Sequence, residues 1–130
     1  VDLENSSITG SRYYNLWMNN LTPLNSLAIK VQHTDLSGSG SGVSVGLDQQ
    51  PTGSTRDATL DLGGGSLGSR GGNCLGGGAL ADLHADRYDV SAAHDWWDTS
   101  GGPASGEVVA QQATVDTSHP LNIAPARCAS

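Results

Sequence analysis

Residues 71–98, "GGNCLGGGALADLHADRYDVSAAHDWWD", crowd two histidines, five aspartates, a cysteine and a Trp-Trp pair between glycine runs. His84, Asp86, His94 and Asp95 are the sharpest catalytic candidates. "H-A-D" spaces an imidazole and a carboxylate to one side of a strand, so both could reach one metal ion, with His119 or Asp98 as a third ligand. HExxH is absent, and H-x-D by itself is a weak signal, so His84, Asp86 and His94 stand as weak metal candidates and no catalytic residue is assigned. Asp82, Asp86, Asp89, Asp95 and Asp98 offer the hard oxygen ligands that a structural Ca²⁺ prefers, but without EF-hand spacing.

Nucleophilic chemistry fails at named requirements. "GSGSG", residues 38–42, has the letters of a nucleophile elbow but no flanking hydrophobic strand and helix. "GGGSLG" and "GGNCLGGG" lack the Lys-Ser/Thr that completes a phosphate loop. Cys74 has no local cation except Arg70 to favour its thiolate. The binding candidate is "HDWWDTSGG". An indole face of Trp96 or Trp97 can stack on a sugar, with Asp95, Asp98 and Tyr88 accepting or donating around it. Against this, adjacent strand residues point to opposite faces. A chain with no Phe also needs a Trp as a core anchor.

The elements that position these residues read as β-strands. Leu27, Ile29 and Val31 alternate with Ala28, Lys30 and Gln32; "GVSVGLD" and "DATLDLG" repeat the period of two. Upstream, "RYYNLWMNNL" carries rings on both faces, as for a strand covered on both sides or one edging a partner. Downstream, residues 106–117 form a further long strand. Pro120 and Pro125 confine the last segment, "HPLNIAPARCAS", to an edge strand or extended tail. Pro51 and Gly53 mark a turn. Residues 63–78 are more than half glycine and need something to hold them. Residues 79–86 are expected to form a short helix or turn, followed by a strand within 87–93. Short strands punctuated by turns predict an all-β, antiparallel β-sandwich, jelly-roll or Ig-like, with long Gly-rich loops. No internal repeat is visible. The expectation is a single domain over 1–130, with extended arms at 1–12 and 117–130.

Composition narrows the function classes. Thirteen acids against six bases give a net charge of −7, and the bases stand singly. Nucleic acid and anionic membrane surfaces are therefore excluded as partners. No apolar run approaches the roughly 18 residues that cross a bilayer. Val1 is compatible with loss of a leader or of an initiator Met. Asn5 and Asn20 head glycosylation sequons. Cys74 and Cys128 fit two thiols or one disulfide; a Gly-rich loop and a tail are poor places to bury thiols, so a disulfide is favoured, and with it an extracellular or other oxidising setting. These features point to a non-enzymatic subunit on the exterior of a larger assembly: a virus coat or capsid-decoration protein, or a cell-surface filament subunit. Its partners are copies of itself or other subunits, and its arms exchange strands with neighbours. A carbohydrate-binding module and a small metal-dependent hydrolase are the alternatives. No cofactor is assigned.

Overall fold

The computed structural model describes residues 1–18, 27–40, 43–47, 58–86 and 88–128. Among these described residues, nine strands succeed one another in chain order: β1 (Asp2–Glu4), β2 (Tyr14–Met18), β3 (Leu27–Gln32), β4 (Val43–Leu47), β5 (Ala58–Gly63), β6 (Ala81–Asp86), β7 (Val90–Ala92), β8 (Val108–Gln111) and β9 (Val115–Asp116). Odd strands pair in order as one sheet, β1-β3-β5-β7-β9, and even strands as a second, β2-β4-β6-β8. Every pairing among them is parallel. A third wall is a ladder of single parallel bridges, Ser7 to Asp35 to Cys74 to Trp96. The chain thus winds as a β-solenoid of about three turns, visiting one sheet, the bridge wall and the other sheet in each turn.

This corrects the expected antiparallel sandwich. Parallel neighbours need a long return path between them, commonly a helix. Here the rest of the turn supplies that path, so short strands with turn signals are equally at home in a solenoid. The short helix expected at 79–86 is also absent. Residues 81–86 are β6, whose Val45–Leu83 and Val43–Ala81 pairings seat it in the second sheet. The long strand expected at 106–117 breaks at Gln112, whose φ of 54° turns the chain between β8 and β9.

The alternation read from the sequence forms stacked rows. Ile29, Leu60, Val90 and Val115 line up in one sheet, and Leu16, Val45, Leu83 and Val108 in the other. Beside the bridges, Ile8, Leu36, Leu75 and Trp97 form the third row, with Leu36, Leu75 and Trp97 buried. Together these rows make one apolar core along the stack axis.

Corners demand unusual backbone. Asn5, His33 and His94 all have φ between 49° and 62° where the chain leaves the first sheet, and His119 takes φ 50° three residues after β9. Asn and His tolerate this left-handed region better than most residues. In the third turn Gly71 and Gly72 occupy the corner, and a Cβ on Gly71 would come within 2.6 Å of the His94 carbonyl oxygen. The glycine-rich loop that succeeds β5 is held by one carboxylate. Asp61 Oδ1 accepts from the N–H of Gly63 and Gly65, at 3.0 and 2.9 Å, and Oδ2 from Leu67 and Ser69, at 3.0 and 3.1 Å.

Both expected arms are engaged within the chain. Residues 2–4 are β1, and Ile8 donates to the Asp35 carbonyl. The tail runs outside the bridge wall: Leu121 donates to the Asp95 carbonyl, Arg127 Nη1 donates to the Gly72 carbonyl, and Cys128 forms a disulfide with Cys74. A short 3-10 turn, Ala126–Cys128, presents that cysteine. The turn at Pro51 and Gly53, the sequon residue Asn20 and Arg87 lie outside the described residues.

Candidate functional site

The bridge wall separates the residues offered as a sugar platform. Trp97 is the core rung of that wall, and Tyr88 and Asp95 are fully buried. Trp96, one bridge outward, is half-buried, and Asp98 is exposed with its carboxylate against Gly76. Alternation along the wall turns Asp95 and Trp97 inward and Trp96 and Asp98 outward, and Tyr88 is buried elsewhere, so the five do not form one surface.

Asp95 has a structural environment instead. Its Oδ1 accepts from the backbone N–H and the Nδ2 of Asn73, both at 3.0 Å. The Asn73 amide also donates to the Val31 and Leu62 carbonyls, and its Oδ1 accepts from the Thr34 N–H at 3.0 Å. Burial raises the Asp95 carboxyl well above the usual carboxylate range, against the two Asn73 hydrogen bonds, and the nearby Asp61 charge adds to the rise. This polar post ties three turns together across the core.

The metal candidates are likewise apart in role. His84 sits in a row of the second sheet with Trp17, Gly46 and Val109, and Asp86 ends the same strand. His94 stands at the other sheet's corner and stacks on His119, ring centroids 5.4 Å apart and planes 11° apart. Hydrogen bonds from Ser118 hold the neighbouring Asp116 carboxyl below its ordinary value, and both imidazoles lower it further. Among the described residues no group of three or more His, Cys, Asp and Glu is placed to hold a metal ion. The five aspartates offered for Ca²⁺ are spread over β6, the bridge wall and the loops around them. Buried Asp82 is the one with a functional-looking shift. Desolvation raises its carboxyl to about 7, partly offset by the Gly78 N–H, and Glu107 and Asp98 add to the rise. A carboxyl pair can pass a proton only to something bound beside it. Three surface depressions among the described residues are open to solvent, and neither Asp82 nor Glu107 lines these three.

One of those depressions, about 410 Å³, is formed by residues of the first turn: Ser11, Arg12, Tyr13, Tyr14 and Trp17. Tyr13 is 61 % and Trp17 55 % exposed, and Tyr14 is exposed beside them. Tyr14 and Trp17 lie nearly parallel, ring centroids 5.6 Å apart and planes 14° apart. Tyr14 rests on Gly46 of the next turn, where a Cβ would run into its ring. The backbone beneath is pinned: Asn15 Oδ1 accepts from the Ser11 N–H, its Nδ2 donates to the Leu36 and Ser37 carbonyls, and the Ser39 hydroxyl donates to the Tyr13 carbonyl. Arg12 places its guanidinium 5.4 Å from the Tyr13 ring centroid.

From the sequence these rings fit a strand covered on both sides or one edging a partner, not a ligand site. Their signal was nonetheless present, as three rings within five residues next to an arginine in a chain otherwise poor in both. Set against known proteins, the chain matches no family model, no curated sequence and no solved structure. The site is therefore argued from its own geometry.

Proposed function

We propose that this chain is a non-enzymatic, extracellular β-solenoid module that functions by assembly, its first turn pairing with a turn of another molecule. A second copy of this chain serves as that molecule, on the outside of a particle or surface filament. The observation that carries this reading is that β1 and β2 are edge strands at the same end of the stack. Each presents backbone donors and acceptors to a parallel neighbour. Leu3, Ile8 and Leu16, which cap the core at that end, are only partly buried. An end turn of a solenoid offers such a partly covered rung to a further turn stacked on it. The Cys74–Cys128 disulfide supports an oxidising compartment. No described helix is long and apolar enough to cross a membrane.

Sedimentation velocity on the purified chain tests this. The wild type is expected to shift from monomer to larger species as concentration rises through the micromolar range. Leu3→Lys and Ile8→Lys, with melting curves to show that they fold, are expected to remain monomers. A wild type that stays monomeric throughout contradicts the reading.

A further inference from the structure

We propose that the aromatic face of the first turn is a binding site for an acidic saccharide that carries a single carboxylate, one hexuronic acid unit in an otherwise neutral chain. Trp17 and Tyr13 are the stacking surfaces and Arg12 the partner of a sugar carboxylate. This site lies on the side of the stack and includes Tyr14 and Trp17 of β2, beside the edge that the proposed assembly uses; saccharide binding and self-association are read by separate measurements.

The rings have no structural task that explains their exposure. The core is complete without them, its large side chains being Tyr88, Trp97, Met18 and the leucines. Trp17 leaves more than half its surface to solvent, although large rings gain from burial. Gly46 leaves the space in which Tyr14 lies against the sheet, and Tyr14 in turn carries the Trp17 ring. The backbone hydrogen bonds from Asn15 and Ser39 fix the segment that bears Tyr13. Rings held this way lose little freedom when a ligand settles on them, which is the condition for useful affinity from a small contact.

Size and charge select the ligand. A depression of about 410 Å³ lined by five residues takes one or two sugar rings. A stable protein interface needs roughly 800 Å² on each side, far more than these rings present. The C–H face of a pyranose matches an indole, while its hydroxyls find the Ser11 and tyrosine hydroxyls at the rim. Arg12 contributes the one charge in the lining, and it is positive in a chain whose net charge is −7. Among the described residues no carboxylate pairs with it, and the Tyr13 ring holds one face of the guanidinium. Its edge remains free to form the paired N–H bonds that carboxylates favour. A polyphosphate ligand would need several cations against that net charge, so the single fork suits a carboxylated sugar better than nucleic acid.

The test is titration of the intact chain with a glucose tetramer that carries one glucuronic acid unit, and in parallel with the unmodified glucose tetramer, followed by tryptophan emission. Trp17 is the exposed indole and reports directly on the site. A saturable emission change is expected with the acidic tetramer, with binding at least about tenfold weaker for the neutral one. Trp17→Ala is expected to show no binding by calorimetry, which does not use the indole as reporter. By calorimetry, Arg12→Gln is expected to weaken binding of the acidic tetramer at least about tenfold and to make the two tetramers equivalent. Should Trp17→Ala lower the melting temperature, Tyr13→Ala takes its place in the calorimetric series. Failure of the acidic tetramer to bind, equal binding of both tetramers by wild type, or unchanged affinity in Arg12→Gln would each overturn the proposal.

Discussion

A single carboxylate does for the glycine-rich loop what a helix cap does for a helix: Asp61 gathers four backbone N–H groups that would otherwise lack acceptors inside the fold. Asp61→Ala is expected to cost about 3 kcal/mol or more, since buried donors left unpaired cost about 1–3 kcal/mol each. Chemical denaturation measures it. Asp82 makes a different contribution, set by its raised pKa. With a folded value of about 7 against 3.8, the native chain holds a proton that the unfolded chain has released over that interval. Stability therefore falls as pH rises from about 4 to about 7 and levels above it. Asp95 pulls in the same direction. Melting temperatures across that range are expected to decline for the wild type and to decline less for Asp82→Asn. The histidines show where residue-level reading stops. His94 and His119 read as chemistry in the sequence, yet both, like His33, occupy left-handed corners. Backbone geometry accounts for their type, and no spacing rule distinguishes a corner histidine from a ligand.

At the scale of strands, alternation was a faithful guide to position. β3, β4 and β5 fall where the period of two placed them, and β7 within the stretch 87–93. What alternation lacks is direction, because a row of inward side chains is the same whether its neighbour runs parallel or antiparallel. The bridge wall was illegible for another reason: each turn contributes a single paired residue there, too short for any periodicity. For that reason the need for one Trp as a core anchor was legible but not which of the pair would serve: Trp97 is the rung after Leu36 and Leu75. Trp97→Ala is expected to destabilise by about 3–5 kcal/mol, as for other buried large side chains, and Trp96→Ala by clearly less. The tail is a strap fixed to this wall. Replacing Cys74 and Cys128 by Ser opens a loop with a sequence separation of 54. The chain-entropy model puts its contribution at about 4 kcal/mol, so the reduced or doubly substituted chain is expected to melt well below the wild type.

For the whole molecule, the repeat went unseen because the turns differ in length. Along the first sheet, partners are 28 residues apart from Asp2 to Lys30, 31 to Asp61, and 25 from Val90 to Val115. Along the bridge wall they are 28, 39 and 22 apart, from Ser7 to Asp35, Cys74 and Trp96. Loops absorb these differences while the core rows stay in register, so the structure repeats and the sequence does not. The cysteine pair was legible as a disulfide, now seen between Cys74 and Cys128. The aromatic face needed the solenoid to become visible, since only stacking of the first turn on the second sets Tyr14 over Gly46. The proposed assembly turns on the edge formed by β1 and β2. Hydrogen–deuterium exchange measured on dilute and concentrated samples addresses it directly. Amides of β1 and β2 are expected to gain protection as concentration rises, while those of β5 and β7 are protected at both; rapid exchange of the first-turn amides at every concentration would contradict assembly through that edge.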